Sequence, residues 1–445
     1  MDRRVPLNRA FSLGYDHPKL LPRRRSGVRP VNFRAGGLTF LQTWGQASTF
    51  LNYPSIPGDT DCVTESLRIL LCTGEFPPSP STGGIGTGTR SAAAALAVHH
   101  DVHVLHCEAG LEPHDVTDPH GFTVHRRPIG RVSNRLFGRF GASQAWAFRR
   151  HADRLGRFDV VEAPDWEAAI AGFVIRRRQP VVANLFTPTE VIRSHGGTGG
   201  GWLRARLERW ACQRADAVAS SGPTLSADLA ARGWFSDATD MPVRPLCLDP
   251  ESSMYAASPV SGDPYVLGIG RLEARKGFGL LIRAVAQLSD RPEVVVVGRD
   301  VIDADGSRGS ETLTNLANEL GVRLRLEAPV RQPELEPLIE QAWVVAVPST
   351  FESFSMAALE AAARARAVVG TDRIGFVALA ADGEGVFCTA HTPEAFSQAI
   401  GPLLADRSAA TAAGLAAQRM VRRDFGPATY AANRNELYDL LLERV

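Results

Sequence analysis

The chain has 445 residues, of which 44% are hydrophobic and 22% are charged, as expected for a globular protein of two or three domains. This composition excludes a collagen, a coiled coil and a wholly disordered chain. The 49 basic and 48 acidic residues give a net charge of +1, so the chain as a whole lacks the positive field that non-specific nucleic-acid binding requires. No segment approaches 18 consecutive apolar residues, and the basic N-terminus has no apolar signal segment. We therefore expect a cytoplasmic protein that does not bind nucleic acid.

The first 34 residues contain eight arginines and Lys19 against two acidic residues, without apolar periodicity. This composition predicts a basic, disordered N-terminal extension over residues 1–65. The six cysteines of the chain form no Cys-x-x-Cys pair, so we expect buried thiols in a reducing compartment rather than disulfides or a zinc cluster.

From residue 67 onward, short apolar runs alternate with helical stretches, a pattern typical of βαβ units and parallel sheets. The pattern predicts an α/β fold with two doubly wound, Rossmann-like domains, at 66–245 and 265–425, joined by a linker at 246–264. We expect the final segment, 426–445, to form a helix that packs back towards the N-terminal domain. The predicted strands lie at 67–72, 102–105, 159–161, 181–185, 265–270, 293–298, 323–328, 343–347 and 367–371.

A glycine-rich segment follows the first strand and precedes a helix predicted to begin at Ser91. Glycines at such a turn let backbone N–H groups approach a phosphate, so Gly84 and Gly86 are candidate ligand-binding residues. Glu108, at the end of the next strand, resembles the acid that binds a dinucleotide ribose. A nicotinamide-dependent oxidoreductase and a ligand-free surface turn therefore remain alternatives for this segment.

A second motif, at 270–277, follows the strand that opens the second domain. It places Arg271 and Lys276 at the carboxyl edge of a parallel sheet, where open α/β folds bind ligands. Lys276 is one of only two lysines in the chain. Because cations are unfavourable beside a helix N-terminus, the pair favours a diphosphate ligand over two bare surface cations.

A third motif follows the strand at 343–347 and contains Glu352 and Glu360. Eight helical steps cover about 12 Å, enough to contact both a hexose and a ribose across a diphosphate. Between the two acids, Ser353, Phe354 and Ser355 begin a helix whose free N–H groups can bind phosphate. The alternative is two solvated acids at the start of a helix.

Together, the glycine-rich loop, Gly-Arg-x4-Lys-Gly and Pro-Ser-x2-Glu-x7-Glu resemble the retaining glycosyltransferases of the GT-B superfamily, family 4, over about residues 67–405. The resemblance implies two domains that face a cleft, a nucleotide-diphosphate sugar as donor, and no metal or other cofactor. It implies catalytic roles for Arg271 and Lys276 on the diphosphate and for Glu352 on the donor sugar, and a ribose contact for Glu360. The acceptor is expected to be a glycan, a lipid-linked molecule or a small molecule, bound by the N-terminal domain.

The chain departs from this family at two places. Phe186 stands where many relatives carry a histidine near the reacting sugar, and 363–367 replaces the usual glycine and proline with alanines and arginines. A phenylalanine stacks on a sugar but does not hydrogen-bond to it. A non-catalytic protein that binds sugar nucleotides is therefore an alternative to the enzyme.

Two further features of the sequence are an Asp-x-Asp segment and an arginine-rich stretch. Asp303 and Asp305 form an Asp-x-Asp sequence, which we interpret as an ordinary loop rather than a metal site. Residues 126–157 contain nine arginines and one acid with interleaved aromatic residues, a composition that suits peripheral contact with an anionic membrane or a charged acceptor, and equally a solvated helix.

Overall fold

The computed structural model describes residues 65–443 except 79–82, 131–134, 136–141, 197–199, 250–257, 303–305, 331 and 381–383. Over these residues the chain forms two sheets, each flanked by helices on both faces. The interior strands are largely apolar and buried, as in Glu293–Val297, because both faces of a parallel sheet are covered. The two Rossmann-like α/β domains predicted from the sequence are confirmed.

The N-terminal sheet has seven strands in the order β3-β4-β2-β1-β5-β6-β7. All neighbours are parallel except β3 and β4, which form an antiparallel pair at one edge. The strands are β1 (Arg68–Thr73), β2 (Asp101–Ala109), β3 (His114–Thr117), β4 (Thr123–Ile129), β5 (Val160–Pro164), β6 (Val181–Leu185) and β7 (Ala217–Ser220).

The C-terminal sheet has six parallel strands in the order β10-β9-β8-β11-β12-β13. In each sheet the first strand of the domain lies in the interior. The next strands in sequence are added on one side of it and the later strands on the other side. The resulting switch points lie between β1 and β5 and between β8 and β11. The strands are β8 (Tyr265–Ile269), β9 (Glu293–Val297), β10 (Leu324–Glu327), β11 (Val344–Val347), β12 (Ala367–Gly370) and β13 (Val386–Cys388).

Helices cover both faces of each sheet. The helices of the N-terminal half are α1 (Gly84–Leu96), α2 (Ala142–Leu155), α3 (Ala171–Ile175), α4 (Thr189–Ser194), α5 (Trp202–Cys212) and α6 (Pro223–Ala231). Those that follow are α7 (Phe278–Val285), α8 (Gly309–Leu320), α9 (Gln332–Gln341), α10 (Met356–Ala363), α11 (Gly375–Leu379), α12 (Pro393–Ala405), α13 (Arg407–Asp424) and α14 (Pro427–Leu442). None of the helices in the described ranges is both long and apolar enough to cross a bilayer.

The start of the first helix and the burial of one cysteine differ from the sequence prediction. The helix expected to begin at Ser91 begins at Gly84, so the glycine-rich segment is itself the first part of α1. Its small residues let α1 pack closely, since a Cβ on Gly88 would lie 3.4 Å from the Leu246 side chain. Cys388 is exposed, whereas the four other described cysteines are buried and all five are free thiols.

The last helix, α14, packs on the N-terminal sheet through a buried polar cluster. Arg434 approaches Glu162 of β5 at 3.4 Å, and the Tyr438 hydroxyl donates to the same carboxylate at 2.6 Å. The Asn184 side chain donates to the other carboxylate oxygen at 2.7 Å. Burial, followed by the charge of Glu162, raises the pKa of Tyr438, which keeps this donor protonated. The cluster therefore holds the end of the chain against the first domain.

A second buried cluster contains two acids without a basic partner at hydrogen-bond distance. Asp165, directly after β5, accepts a hydrogen bond from the Phe186 N–H, while its Oδ2 has no partner among the described residues. Burial, with the nearby charge of Glu208, raises the pKa of Asp165 to about 8. Burial also raises the pKa of Glu208 to about 7, although Thr189 donates two hydrogen bonds to it. These acids are therefore largely protonated in the folded protein at mildly acidic pH.

We expect Arg434→Met to lower the free energy of unfolding by about 3 kcal/mol, because it leaves the Glu162 carboxylate buried without its cation. Combining it with Glu162→Gln should recover part of the loss. The matched control is Glu436→Gln, on the same helix as Arg434. It breaks the ion pair between the exposed Glu436 side chain and Arg244 and should cost less than about 1 kcal/mol. Urea unfolding measures all four proteins, and equal losses for the two single variants would contradict the prediction.

We also expect the free energy of unfolding to fall as pH rises from about 4 to about 8, by up to about 1.4 kcal/mol per pH unit for each proton. The sign follows from the raised pKa of Asp165: in this window the folded state holds a proton that the unfolded state has released. Asp165→Asn should flatten the decline between pH 5 and 8, measured by unfolding at several pH values. The exposed substitution Asp290→Asn should leave the wild-type slope unchanged.

Candidate functional site

The two motifs of the C-terminal domain lie at the switch point of its sheet. The loop with Arg271 and Lys276 follows β8, and the loop with Glu352 follows the neighbouring strand β11. Crevices at the carboxyl ends of such strands are where open α/β sheets bind ligands. The structure therefore brings the two motifs together at a site for a bound molecule.

Glycines allow these two loops to touch. Gly277 has a φ of 70°, and a Cβ there would collide with the Pro348 carbonyl oxygen. Across the same contact, the Thr350 N–H donates to the Arg275 carbonyl at 2.9 Å, and the Arg275 side chain donates to the Phe351 carbonyl at 2.9 Å. The loops are thus held together by one backbone hydrogen bond and one from the Arg275 side chain, independently of any ligand.

Lys276 and Glu352 meet at the centre of this contact. The lysine Nζ lies 2.9 Å from Glu352 Oε1, and the Ser349 hydroxyl donates to the same oxygen at 2.6 Å. Burial opposes ionisation of Glu352, but the charge of Lys276 and these two hydrogen bonds outweigh it and lower the pKa of Glu352. The site therefore holds a paired cation and carboxylate at neutral pH.

Arg271 lies at the open edge of the same loop. Its side chain is 47% exposed and forms an ion pair with Glu273 at 3.1 Å. Glu273 also holds Arg275, at 2.7 Å. Arg271 thus keeps part of its guanidinium accessible to an anion that enters the crevice.

The start of α10 separates the two predicted glutamates. The helix begins at Met356, so only the second half of the interval from Glu352 to Glu360 is helical, and the 12 Å estimate applied helical rise to too many residues. Glu360 lies on α10 and is buried. Ser355, before the helix, has a φ of 92° and a buried hydroxyl without a hydrogen-bond partner.

The residues between the acids face different surroundings. The Phe354 side chain packs in the domain core against Phe376 and Phe425, so only its backbone is available to a ligand. The Ser353 hydroxyl accepts a 3.0 Å hydrogen bond from Thr187 of the N-terminal domain.

The glycine-rich segment differs from the phosphate loop expected from the sequence. Gly84 is exposed at the start of α1, but the Gly86 N–H donates to Glu75 Oε1 at 3.0 Å. Burial raises the pKa of Glu75, opposed by hydrogen bonds from this turn. The Glu75 carboxylate of the protein itself therefore accepts the hydrogen bond from the Gly86 N–H that we expected a phosphate to accept.

Glu75 and Asp165 were missed by the sequence analysis. They follow β1 and β5, the two strands that flank the N-terminal switch point. The sequence does show an acid after each of these two strands. Only the strand order of the sheet, however, reveals that the two strands are neighbours at the switch point.

The N-terminal and C-terminal switch points approach each other. A Cβ on Gly84 would lie 3.7 Å from Met356 Cγ, so the N-termini of α1 and α10 are close. The His195 ring stacks on Phe351 with centroids 4.5 Å apart. The site thus lies where the two domains meet, and the positive ends of two helix dipoles converge there.

Phe186 occupies the position noted as a departure from the family. Its side chain is partly buried against the core of the C-terminal domain, and its N–H donates to Asp165 at 3.1 Å. The residue therefore packs between domains and offers an aromatic ring, but no side-chain hydrogen bond, to the cleft.

Other predicted features are only partly described. Asp303 and Asp305 lie outside the described residues, as does the extension up to residue 64. Within the described ranges, no group of three or more His, Cys, Asp or Glu side chains is placed to hold a metal ion. Of the arginine-rich stretch 126–157, Phe148 and Arg149 are buried, whereas Trp146 is exposed.

Two family models match the chain. Residues 83–247 match the Glycosyl transferase 4-like domain, and residues 255–420 match Glycosyl transferases group 1. The two matches correspond to the two sheets and include the motifs described above.

Relatives and solved structures agree with the family models. The D-inositol 3-phosphate glycosyltransferase of Xylanimonas cellulosilytica is 30% identical over 341 residues, which cover 69% of this chain and 78% of that protein. The glycogen synthase of Mycobacterium tuberculosis is 26% identical over 397 residues, covering 84% and 94%.

Among solved structures, sucrose-phosphate synthase from Thermosynechococcus elongatus has a TM-score of 0.70 at 20% identity, over 85% of this chain and 100% of that one. HepE from Anabaena, solved with UDP-glucose, has a TM-score of 0.63 at 17% identity, over 84% and 100%. The chain therefore belongs to the glycosyl transferases group 1 family and is a glycosyltransferase with the GT-B fold.

Proposed function

We propose that this protein transfers a sugar from a nucleotide-diphosphate sugar to a hydroxyl acceptor with retention of the anomeric configuration. The observation that carries the proposal is the Lys276–Glu352 pair, at 2.9 Å, beside the N-terminus of α10 at the C-terminal switch point. A cation, a carboxylate and free helix N–H groups are the chemistry that a sugar diphosphate needs.

Each predicted residue has a distinct task in this proposal. Arg271 and Lys276 neutralise the diphosphate, and Glu352 accepts hydrogen bonds from donor-sugar hydroxyls. Glu360 binds the ribose, and the backbone of 353–355 donates N–H groups to phosphate oxygens. Gly84 and Gly86 line the opposite wall and let the donor approach α1 closely.

Catalysis is mainly electrostatic. As the bond between the anomeric carbon and the diphosphate oxygen breaks, the diphosphate keeps the electron pair, and Arg271 and Lys276 stabilise the growing charge. The acceptor hydroxyl attacks the anomeric carbon on the face that the diphosphate leaves, and the departing phosphate oxygen takes its proton. Attack on that face gives retention. The two cations supply the charge neutralisation, so we propose a reaction that needs no metal ion.

The comparisons support this choice of donor. HepE is solved with UDP-glucose, and the named relatives are a glycogen synthase and a D-inositol 3-phosphate glycosyltransferase. We propose UDP-glucose as the first donor to test, and small polyols and glycans as the first acceptors, bound by the N-terminal domain.

The second candidate is a non-catalytic protein that binds sugar nucleotides. Phe186 favours it, because its ring gives the reacting sugar no hydrogen-bond partner. The alternative of a nicotinamide-dependent oxidoreductase is set aside, since the chain is a glycosyltransferase by family and Glu75 takes the Gly86 N–H group.

We expect Lys276→Ala to weaken binding of UDP or UDP-glucose at least about tenfold, equivalent to about 1.4 kcal/mol, because the diphosphate loses its buried cation. Titration calorimetry measures the affinity and thermal unfolding checks the fold. Arg283→Ala, on the exposed face of α7, is the matched control and should bind like the wild type. Equal affinity in the lysine variant would remove Lys276 from the site.

We further expect release of nucleoside diphosphate from the sugar donor when a suitable acceptor is present, because the leaving phosphate itself serves as the base. Coupled detection of UDP across a panel of polyols, sugar phosphates and glycans measures turnover, with the Lys276→Ala protein as the blank. Tight donor binding without release above that blank would favour the non-catalytic candidate.

A further inference from the structure

The helix α5 presents apolar and basic side chains on its outer face. Trp202 is 60% exposed and Leu203 is 44% exposed. A surface groove of about 880 Å³ runs along the helix and is lined by Leu203, Arg206, Leu207, Arg209, Trp210 and Gln213. A second groove, of about 540 Å³, shares Arg206 and Arg209 and continues past Trp202. We call this surface the α5 face.

The opposite side of α5 is fixed in the protein. Glu208, Ala211 and Cys212 are buried, and Glu208 binds the start of α4 through Thr189. The helix therefore cannot rotate to hide its tryptophan and leucine. Their exposure is a property of the folded domain, and nothing in the described residues of the domain covers them.

Neighbouring helices extend this surface. The buried sides of α2, α3 and α5 belong to one core cluster, on the face of the sheet opposite α1 and α14. Their outer sides expose Trp146 of α2 and Ile175 of α3, at 57% and 66%. Four large apolar side chains thus project from one helix layer, spread over three helices rather than gathered in one pocket.

The charge of this layer is positive: its arginines outnumber the acids on or beside it, of which Asp153, Asp216 and Glu190 are paired with Arg178, Arg177 and Arg232. Asp153 is the one exposed acid on the three helices, and it is paired with Arg149 and Arg178. Cation–π contacts place Arg206 over Trp202 and Arg214 over Trp210, so basic and aromatic groups lie side by side. The exposed arginines on or next to these helices are Arg150, Arg154, Arg157, Arg176, Arg177, Arg178, Arg206 and Arg214.

The positive charge of this surface indicates which kind of partner binds to it. The first 34 residues of the N-terminal extension carry eight arginines and one lysine, and a second copy docked through the same surface would oppose one basic face to another. Both are repelled. An anionic partner is attracted, and the spread of apolar groups over three helices suits a planar partner into which tryptophan and leucine insert at the polar boundary.

We propose that the α5 face, with the outer sides of α2 and α3, docks the N-terminal domain on an anionic lipid bilayer. Arginines bind the headgroups, while Trp202 and Leu203 enter the boundary between headgroups and acyl chains. Docking is reversible and does not involve the donor site, so it is independent of the proposed reaction.

The test is co-sedimentation of the full chain with vesicles of phosphatidylcholine alone or mixed with phosphatidylglycerol. We expect binding to the mixed vesicles only, lost at 1 M salt, where the Debye length is about 3 Å. Trp202→Ser with Leu203→Ser should weaken binding about tenfold, and Arg206→Glu severalfold. The matched control is Leu440→Ser, which removes an exposed leucine from α14 on the opposite layer and should bind like the wild type.

Brominated lipids give a second, site-specific measurement, because they quench tryptophan only at the membrane boundary. Trp202→Phe should bind vesicles but show less quenching than the wild type. The inference is overturned if the α5 variants bind as tightly as the wild type, since the extension would then carry the attraction. Two other results would also overturn it: equal binding to phosphatidylcholine alone, and unchanged quenching in Trp202→Phe. It is overturned as well if a soluble polyanion such as heparin displaces the protein from vesicles that cause no tryptophan quenching.

Discussion

The ion pair between Lys276 and Glu352 is the contact on which the site depends. It joins the loops after β8 and β11, 76 residues apart in the chain, and it forms only because glycine at 277 lets the backbones touch. A buried carboxylate alone would be protonated, and a buried lysine alone would lose its charge. Against the effect of burial, the lysine beside it lowers the pKa of Glu352, so the crevice carries an ionised acceptor oxygen next to a lysine, the two groups that the proposed sugar diphosphate requires.

The N-terminal domain also places ionisable side chains in the loops beside its switch point, but there both are acids. Its switch point is flanked by Glu75 and Asp165, and burial raises the pKa of both. Glu75 accepts the Gly86 N–H, so part of the helix dipole is already compensated there. In the proposed function, a negatively charged donor is therefore attracted chiefly to the C-terminal wall, which carries Lys276 and the start of α10. This asymmetry suits a cleft in which one domain holds the donor and the other the acceptor.

Periodicity was enough to predict the two parallel sheets, because runs such as Glu293–Val297 are apolar on both faces. It missed β3, whose four residues are all exposed, as well as β4, β7 and β13. It also placed the start of α1 too late, because glycines usually mark loops. The proximity of Lys276 to Glu352 could be predicted, because each of the two motifs follows a strand of the same parallel sheet. Their direct pairing, the capture of Gly86 by Glu75 and the core position of Phe354 depend on side-chain packing between segments far apart in sequence, which no local pattern contains.

Arginines at 364 and 366, in the segment that departs from the family pattern, lie inside the C-terminal domain. Arg364 is paired with Glu336 and Glu340 of α9, and Arg366 donates to the Ile339 and Ser258 carbonyls. Burial lowers the pKa of Arg366 to about 10, still well above neutrality. Because both arginines have carboxylate or carbonyl partners, they form a polar network that braces α9 against β12. The departure from the family pattern therefore lies in the packing between α9 and β12 and not in the loops that carry Lys276 and Glu352.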